Sequence, residues 1–157
     1  MTVSISADDS GWDAVANLVE LARHAANAAL EAAYRGPGPA SLAILFTGDA
    51  AIAELNRQWR GEAKPTNVLS FPAPAGLPVP PGEPRPLGDI VLAFGTVARE
   101  AEEQDKPLPH HATHLIVHGV LHLLGHDHET EGQAEDMEAL ERLILNDLGI
   151  EDPYERH

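Results

Sequence analysis

Hydrophobic and polar positions alternate weakly from Thr2 to Ala7, a period of two that predicts an edge strand. From Trp12 to Ala33 the period lengthens: Val15, Val19, Ala22, Ala26, Ala29 and Leu30 recur at helical steps and predict one helix with a broad apolar face. The run Arg35-Gly36-Pro37-Gly38-Pro39 stops it, since glycine and proline terminate helices. Ser41 to Phe46 is an apolar run of strand length. Thr47 or Asp49 can cap the helix that follows, in which Ile52, Leu55 and Trp59 share a side and Trp59 reads as core.

Beyond the polar connection Gly61 to Asn67, Val68 to Phe71 reads as a strand ended by Pro72. Residues 73–87 hold six prolines and two glycines and predict a loop. Leu87 to Phe94 supplies another strand from about Gly88, with Ile90, Val91 and Leu92 buried. Asp89 interrupts that apolar run and reads as a buried acid in need of a partner, or as a turn cap. Three helices complete the chain: Thr96 to Gln104, then a helix with Pro109 in its first turn that ends at Gly125, then Gly132 to Leu148. The last places Met137, Leu140, Leu143, Ile144 and Leu148 inward. The expected class is α+β, a small mixed four-stranded sheet packed with about five helices. At 157 residues it fits a single domain over 1–157.

Composition narrows the chemistry. Cysteine is absent, so a metal must be held by His, Asp or Glu. The formal charge of −15, from 25 acids against 10 Lys plus Arg, argues against nonspecific nucleic-acid binding. Eleven of those acids lie between Asp127 and His157. No run approaches the roughly 18 apolar residues of a membrane span. The first residues carry acids where a signal peptide would carry a basic and then an apolar stretch, so a cytoplasmic protein is expected.

Seven of the nine histidines fall between His110 and His128. In HGVLHLLGHDH, residues 118–128, His118 and His122 are four apart on a helix and share one face. Gly125 permits the chain to turn back, so that His126 or His128 can add a third nitrogen. The zinc-protease pattern H-E-x-x-H-x-x-G-x-x-H puts its ligands on His118, His122 and His128 and its glycine on Gly125. Three neutral imidazoles suit one Zn2+ per chain with a position left open for chemistry. A closed structural site, completed by His126 or Asp127, is the rival.

Position 119 is glycine where the protease pattern has its general-base glutamate. That departure lowers the peptidase or amidohydrolase reading and raises phosphoryl chemistry, since a phosphodiester brings its own metal-binding oxygens. Arg57, Arg60 and Lys64 gather upstream, and Arg60 is the candidate to hold a phosphate through its planar fork. A solvated helix face is the plain alternative for them. His114 shares the face of His118 and reads as core or as support for the ligands; His110 and His111 read as surface. Ser70 is a candidate to face the site.

The run from His118 to His128 resembles the signature H-G-x-L-H-L-x-G-[YH]-D-H of the YbeY endoribonucleases. Leu55, Asn56, Trp59, Arg60 and Pro65 to Pro72 match the family's upstream segment, and Leu87 to Ile90 its L-G-D-I. The resemblance implies a small mixed sheet carrying a zincin-like metal helix, with metal ligands at His118, His122 and His128 and an RNA-contacting arginine at Arg60. It further implies a single-strand-specific, metal-dependent endoribonuclease acting on the 16S rRNA precursor at its 3′ end and in ribosome quality control. The implied partners are the small ribosomal subunit and its assembly proteins, with no DNA and no membrane. The other readings are a zinc metallopeptidase or amidohydrolase, and a non-catalytic assembly factor with structural zinc.

Overall fold

The computed structural model describes residues 1–61, 66–74, 76, 78–126 and 130–150, and of Arg60 the backbone alone. Four strands, β1 (Thr2–Ala7), β2 (Ala40–Thr47), β3 (Val68–Pro72) and β4 (Arg85–Ala93), make one mixed sheet in the order β1-β2-β4-β3. β1 and β4 run parallel to β2, and β3 runs antiparallel to β4, leaving β1 at an edge as its weak alternation predicts. Among the described residues five α-helices accompany the sheet: α1 (Leu18–Ala33), α2 (Asp49–Arg60), α3 (Phe94–Glu103), α4 (Leu108–Leu123) and α5 (Glu131–Asp147). The α+β class, the four strands and the five helices are as expected.

The pleat of β2 and β4 divides the core in two. Ile44, Phe46, Ile90 and Leu92 join the cluster that contains the apolar faces of α1, α4 and α5. Val91 and Ala93, with Leu69 of β3, meet Ile52 of α2 in the other. Small residues on α1, Ala22, Ala25, Ala26 and Ala29, are fully buried and let it lie close to α4.

Several sequence expectations are corrected. The first helix starts at Leu18 rather than Trp12, because residues Ser10–Ala14 form a separate 3-10 turn. Asp9 caps that turn by accepting from the Gly11 amide at 2.8 Å, and buried Trp12 donates its indole N–H to the Thr47 carbonyl at 2.9 Å. This long-range anchor overrides the helical period. Neither Thr47 nor Asp49 caps α2, whose N-cap is Gly48. The Asp49 carboxylate instead accepts from the amide and hydroxyl of Thr96 in the first turn of α3, at 2.9 and 3.0 Å.

The proline-rich loop is shorter than its composition suggests, since β4 already begins at Arg85. Pro86 is tolerated there because the register slips beside it, Ser41 pairing with Pro86 and Leu42 with Gly88. Leu143 is 58% exposed rather than inward, whereas Met137 and Ile144 are buried and Leu140 and Leu148 pack partly buried on the core as expected; Glu141 and Leu145 join them on the inner face of α5. Trp59 is 69% exposed rather than core, with its ring against Phe71 at 5.4 Å. Asp89 is exposed rather than buried. It shares the side of Val91, where α2 covers only part of the sheet, and lines an open groove of about 780 Å³ with Ser4, Ser6 and Trp59. Among the described residues no helix is long and apolar enough to cross a membrane.

Candidate metal centre

α4 is fixed by its apolar side. Ala112, Leu115, Ile116, Val117, Val120 and Leu121 are all buried, and each large one contributes about 1.5–3 kcal/mol of transfer free energy. Pro109 occupies the first turn, where its missing N–H costs nothing, and the helix ends at Leu123, with Leu124 as its C-cap before Gly125 at φ 94°. The polar side of α4 is therefore presented at a rigid orientation, and that side carries the histidines.

His118 and His122 stand one turn apart with their Nε2 atoms 3.0 Å from each other and their rings nearly perpendicular, at 75°. Two imidazoles on one tetrahedral zinc, with bonds of about 2.0–2.1 Å, bring their nitrogens to roughly 3.3 Å. The pair thus has close to the separation that sharing one ion requires. The side chain of His118 is 25% exposed.

Behind the pair lies Glu141 of α5, 0% exposed. Its Oε1 is 2.5 Å from Nδ1 of His118, and its Oε2 is 3.2 Å from Nε2 of His114. A carboxylate only accepts, so each ring offers it an N–H. For His118 this puts the proton on Nδ1 and leaves the Nε2 lone pair directed at the point it shares with His122. The donor set fits a metal ion: two nitrogens converge, and a buried carboxylate backs one of them. The α5 helix that carries Glu141 begins at a capping box between Thr130 and Gln133.

Glu141 was not singled out in the sequence. Its signal was there, since an acid at 141 sits on the same helical face as Met137, Ile144 and Leu145. His111 is likewise not on the surface: it is 3% exposed, with Nε2 3.0 Å from Oε1 of Glu100, which also accepts from Asn67 at 3.0 Å. Burial pushes the His111 imidazole below its ordinary pKa, and the Glu100 carboxylate opposes that shift without cancelling it. Ser70 directs its hydroxyl at the Gly119 carbonyl, 3.4 Å away, and so faces α4.

Gly119 itself packs on β4. A Cβ there would meet Ile90 at 3.0–3.3 Å, so a side chain at the position of the protease glutamate is crowded by the sheet. Of the upstream cations, Arg57 is paired with Glu54 on the exposed side of α2. Arg60 is the last residue of α2. Its side chain, Lys64, Asp127 and His128 lie outside the described residues. Among the described residues, no three His, Cys, Asp or Glu side chains converge as a metal site.

A family model described as Endoribonuclease YbeY matches residues 5–149. A protein of that name from Chelativorans sp. is 54% identical over 156 residues, 98% of this chain and 93% of its own. Another from Azorhizobium caulinodans is 49% identical over 156 residues, 98% of this chain and 96% of its own. The solution structure of TM1509 from Thermotoga maritima superposes with a TM-score of 0.58 at 21% identity, covering 98% of this chain and 99% of that one. That likeness is one of fold.

Proposed function

The chain belongs to the YbeY family of endoribonucleases, and from that premise we propose that it hydrolyses phosphodiester bonds in single-stranded RNA with a zinc ion held by His118, His122 and His128. The observation that carries the metal reading is the 3.0 Å approach of the His118 and His122 Nε2 atoms. A bound zinc ion supplies Lewis acidity to a phosphate and lowers the pKa of water from about 16 towards about 7. The histidines hold that ion at an open position. Arg60, at the end of α2, is assigned to hold the scissile phosphate and offset the charge that develops on it.

The peptidase alternative needs a carboxylate acting as base. Position 119 is glycine, and among the described residues the buried Glu141 beside the histidine pair is engaged by His114 and His118. A phosphodiester needs such a group less. The physiological substrate is proposed to be the 3′ end of the 16S rRNA precursor. At a net charge of −15 the protein repels RNA at long range. Delivery is therefore assigned to contacts with the small ribosomal subunit and its assembly proteins, in the cytoplasm.

The test uses metal-assayed protein and a short single-stranded ribosomal RNA. His118→Ala and His122→Ala are expected to lose zinc and cleavage together, and Arg60→Glu to keep zinc and lose cleavage. Cleavage that persists in metal-free protein overturns the metal reading.

A further inference from the structure

The two rings nearest the proposed metal point are not arranged by α4 alone. Helical geometry brings the β-carbons of His118 and His122 to one face, but each imidazole retains rotation about two bonds and a choice of tautomer. On α4 the Nε2 of His118 meets another imidazole nitrogen, that of His122, which can donate or accept, so this contact leaves either tautomer open. The selecting group comes from 23 residues away, across a helix–helix contact, as the Glu141 carboxylate at 2.5 Å.

We propose that Glu141 is the positioning residue of this centre: it fixes His118 as the Nδ1–H tautomer, aims its Nε2 at the ion, and strengthens metal binding. The inference rests on the zinc reading above and assigns a role to a residue outside the ligand set. Three observations carry it. Glu141 is fully buried, and a buried carboxylate is strongly disfavoured unless paired, so its surroundings must compensate it. Both its oxygens are taken by rings of α4, His118 and His114, one turn apart. And the nitrogen of His118 left over after this pairing is the one that approaches His122.

A carboxylate in this place also acts electronically. Its negative charge, held against the ring N–H, makes the opposite nitrogen a better electron-pair donor. His114 completes the arrangement by engaging the second oxygen, which keeps the carboxylate plane from rotating away from His118.

The test compares wild type with Glu141→Gln and with Glu100→Gln, the latter altering the other buried Glu–His contact away from the centre. Gln is the size of Glu but presents one acceptor and one amide donor, so it cannot receive an N–H from both rings. Zinc affinity is read by competition with a chromogenic chelator, and the His118 tautomer by ring 15N shifts of metal-free protein near pH 8. Expected are an Nδ1–H His118 in wild type, about a 10- to 100-fold loss of zinc affinity in Glu141→Gln, and little change in Glu100→Gln. Folded Glu141→Gln that binds zinc within twofold of wild type overturns the proposal while leaving the zinc reading intact. Wild type that takes up no zinc sinks the zinc reading and the proposal with it. Should Glu141→Gln not fold, the wild-type tautomer decides: a predominant Nε2–H form of His118 overturns the proposal.

Discussion

Gly119 lies against Ile90 so closely that a β-carbon on it would stand 3.0 Å from the Ile90 Cγ2. The contact joins α4 to β4 beside the histidine pair and accounts for the residue at a position where zinc proteases have an acid. Ala in place of Gly gains about 1 kcal/mol of helix propensity, but overpacking a fully buried Ile90 costs about 1–3 kcal/mol. Gly119→Ala is expected to lose about 1 kcal/mol net, measured by urea unfolding. Gly119→Glu, which would also bury a charge, is expected not to yield folded protein. A Gly119→Ala midpoint above wild type would show that α4 can lift from the sheet.

A second glycine is fixed by backbone rather than side chain. Gly88 adopts φ 137°, and a β-carbon on it would meet the Phe71 carbonyl oxygen at 2.2 Å. That oxygen belongs to β3, paired antiparallel with β4 at Phe71 and Asp89. Gly88→Ala must therefore break the pairing at the end of β3, the strand whose Ser70 touches α4. The expected cost is about 3 kcal/mol or more, combining left-handed strain with a lost pairing. The same urea experiment checks it, with amide exchange expected to rise at Phe71 and Asp89 before the rest of the sheet.

These two glycines mark what local sequence carries and what it does not. The spacing of His118 and His122, the stop at Gly125 and the apolar runs of β2 and β4 depend on neighbours in the chain, and they were legible. Where Trp12, Asp49 and Glu141 find their partners depends on Thr47, Thr96 and His118, which other elements bring near. The same limit explains Trp59 and Asp89. Whether they are covered depends on how far α2 reaches across the sheet, which no periodicity within either segment encodes. Glu141 is the instructive miss: an acid on an apolar helical face reads as an interruption until a histidine is found opposite.

The cations near the end of α2 should separate cleanly. Arg57 is bonded to Glu54 one turn earlier, and both are well exposed, a kind of pair that contributes little to stability. Arg57→Gln is expected to leave the unfolding midpoint and the rate of RNA cleavage at wild-type values. Arg60→Glu is expected to retain zinc and abolish cleavage. Equal loss in the two variants would mean that a diffuse positive field acts, and not one arginine; the salt dependence of cleavage would then be steep in wild type and shallow in both.

Acid should loosen the protein at His111. Burial holds its pKa in the folded chain below the ordinary value near 6.5. Between the folded and unfolded values the unfolded chain binds the extra proton, so stability rises with pH across that window. The contribution is present in full above about pH 6.5 and is lost as pH falls through that value towards the folded one. The Nδ1 of His111 is buried without a hydrogen-bond partner among the described residues, so a proton placed there has nothing to meet it. His111→Gln keeps a polar group within reach of Glu100 but cannot titrate. Urea unfolding at pH 7.5 and pH 5.5 is expected to show a smaller loss of stability for His111→Gln than for wild type. Equal losses would place the acid sensitivity elsewhere, and a larger one in the variant would mean that the Glu100 contact strengthens on protonation and outweighs burial.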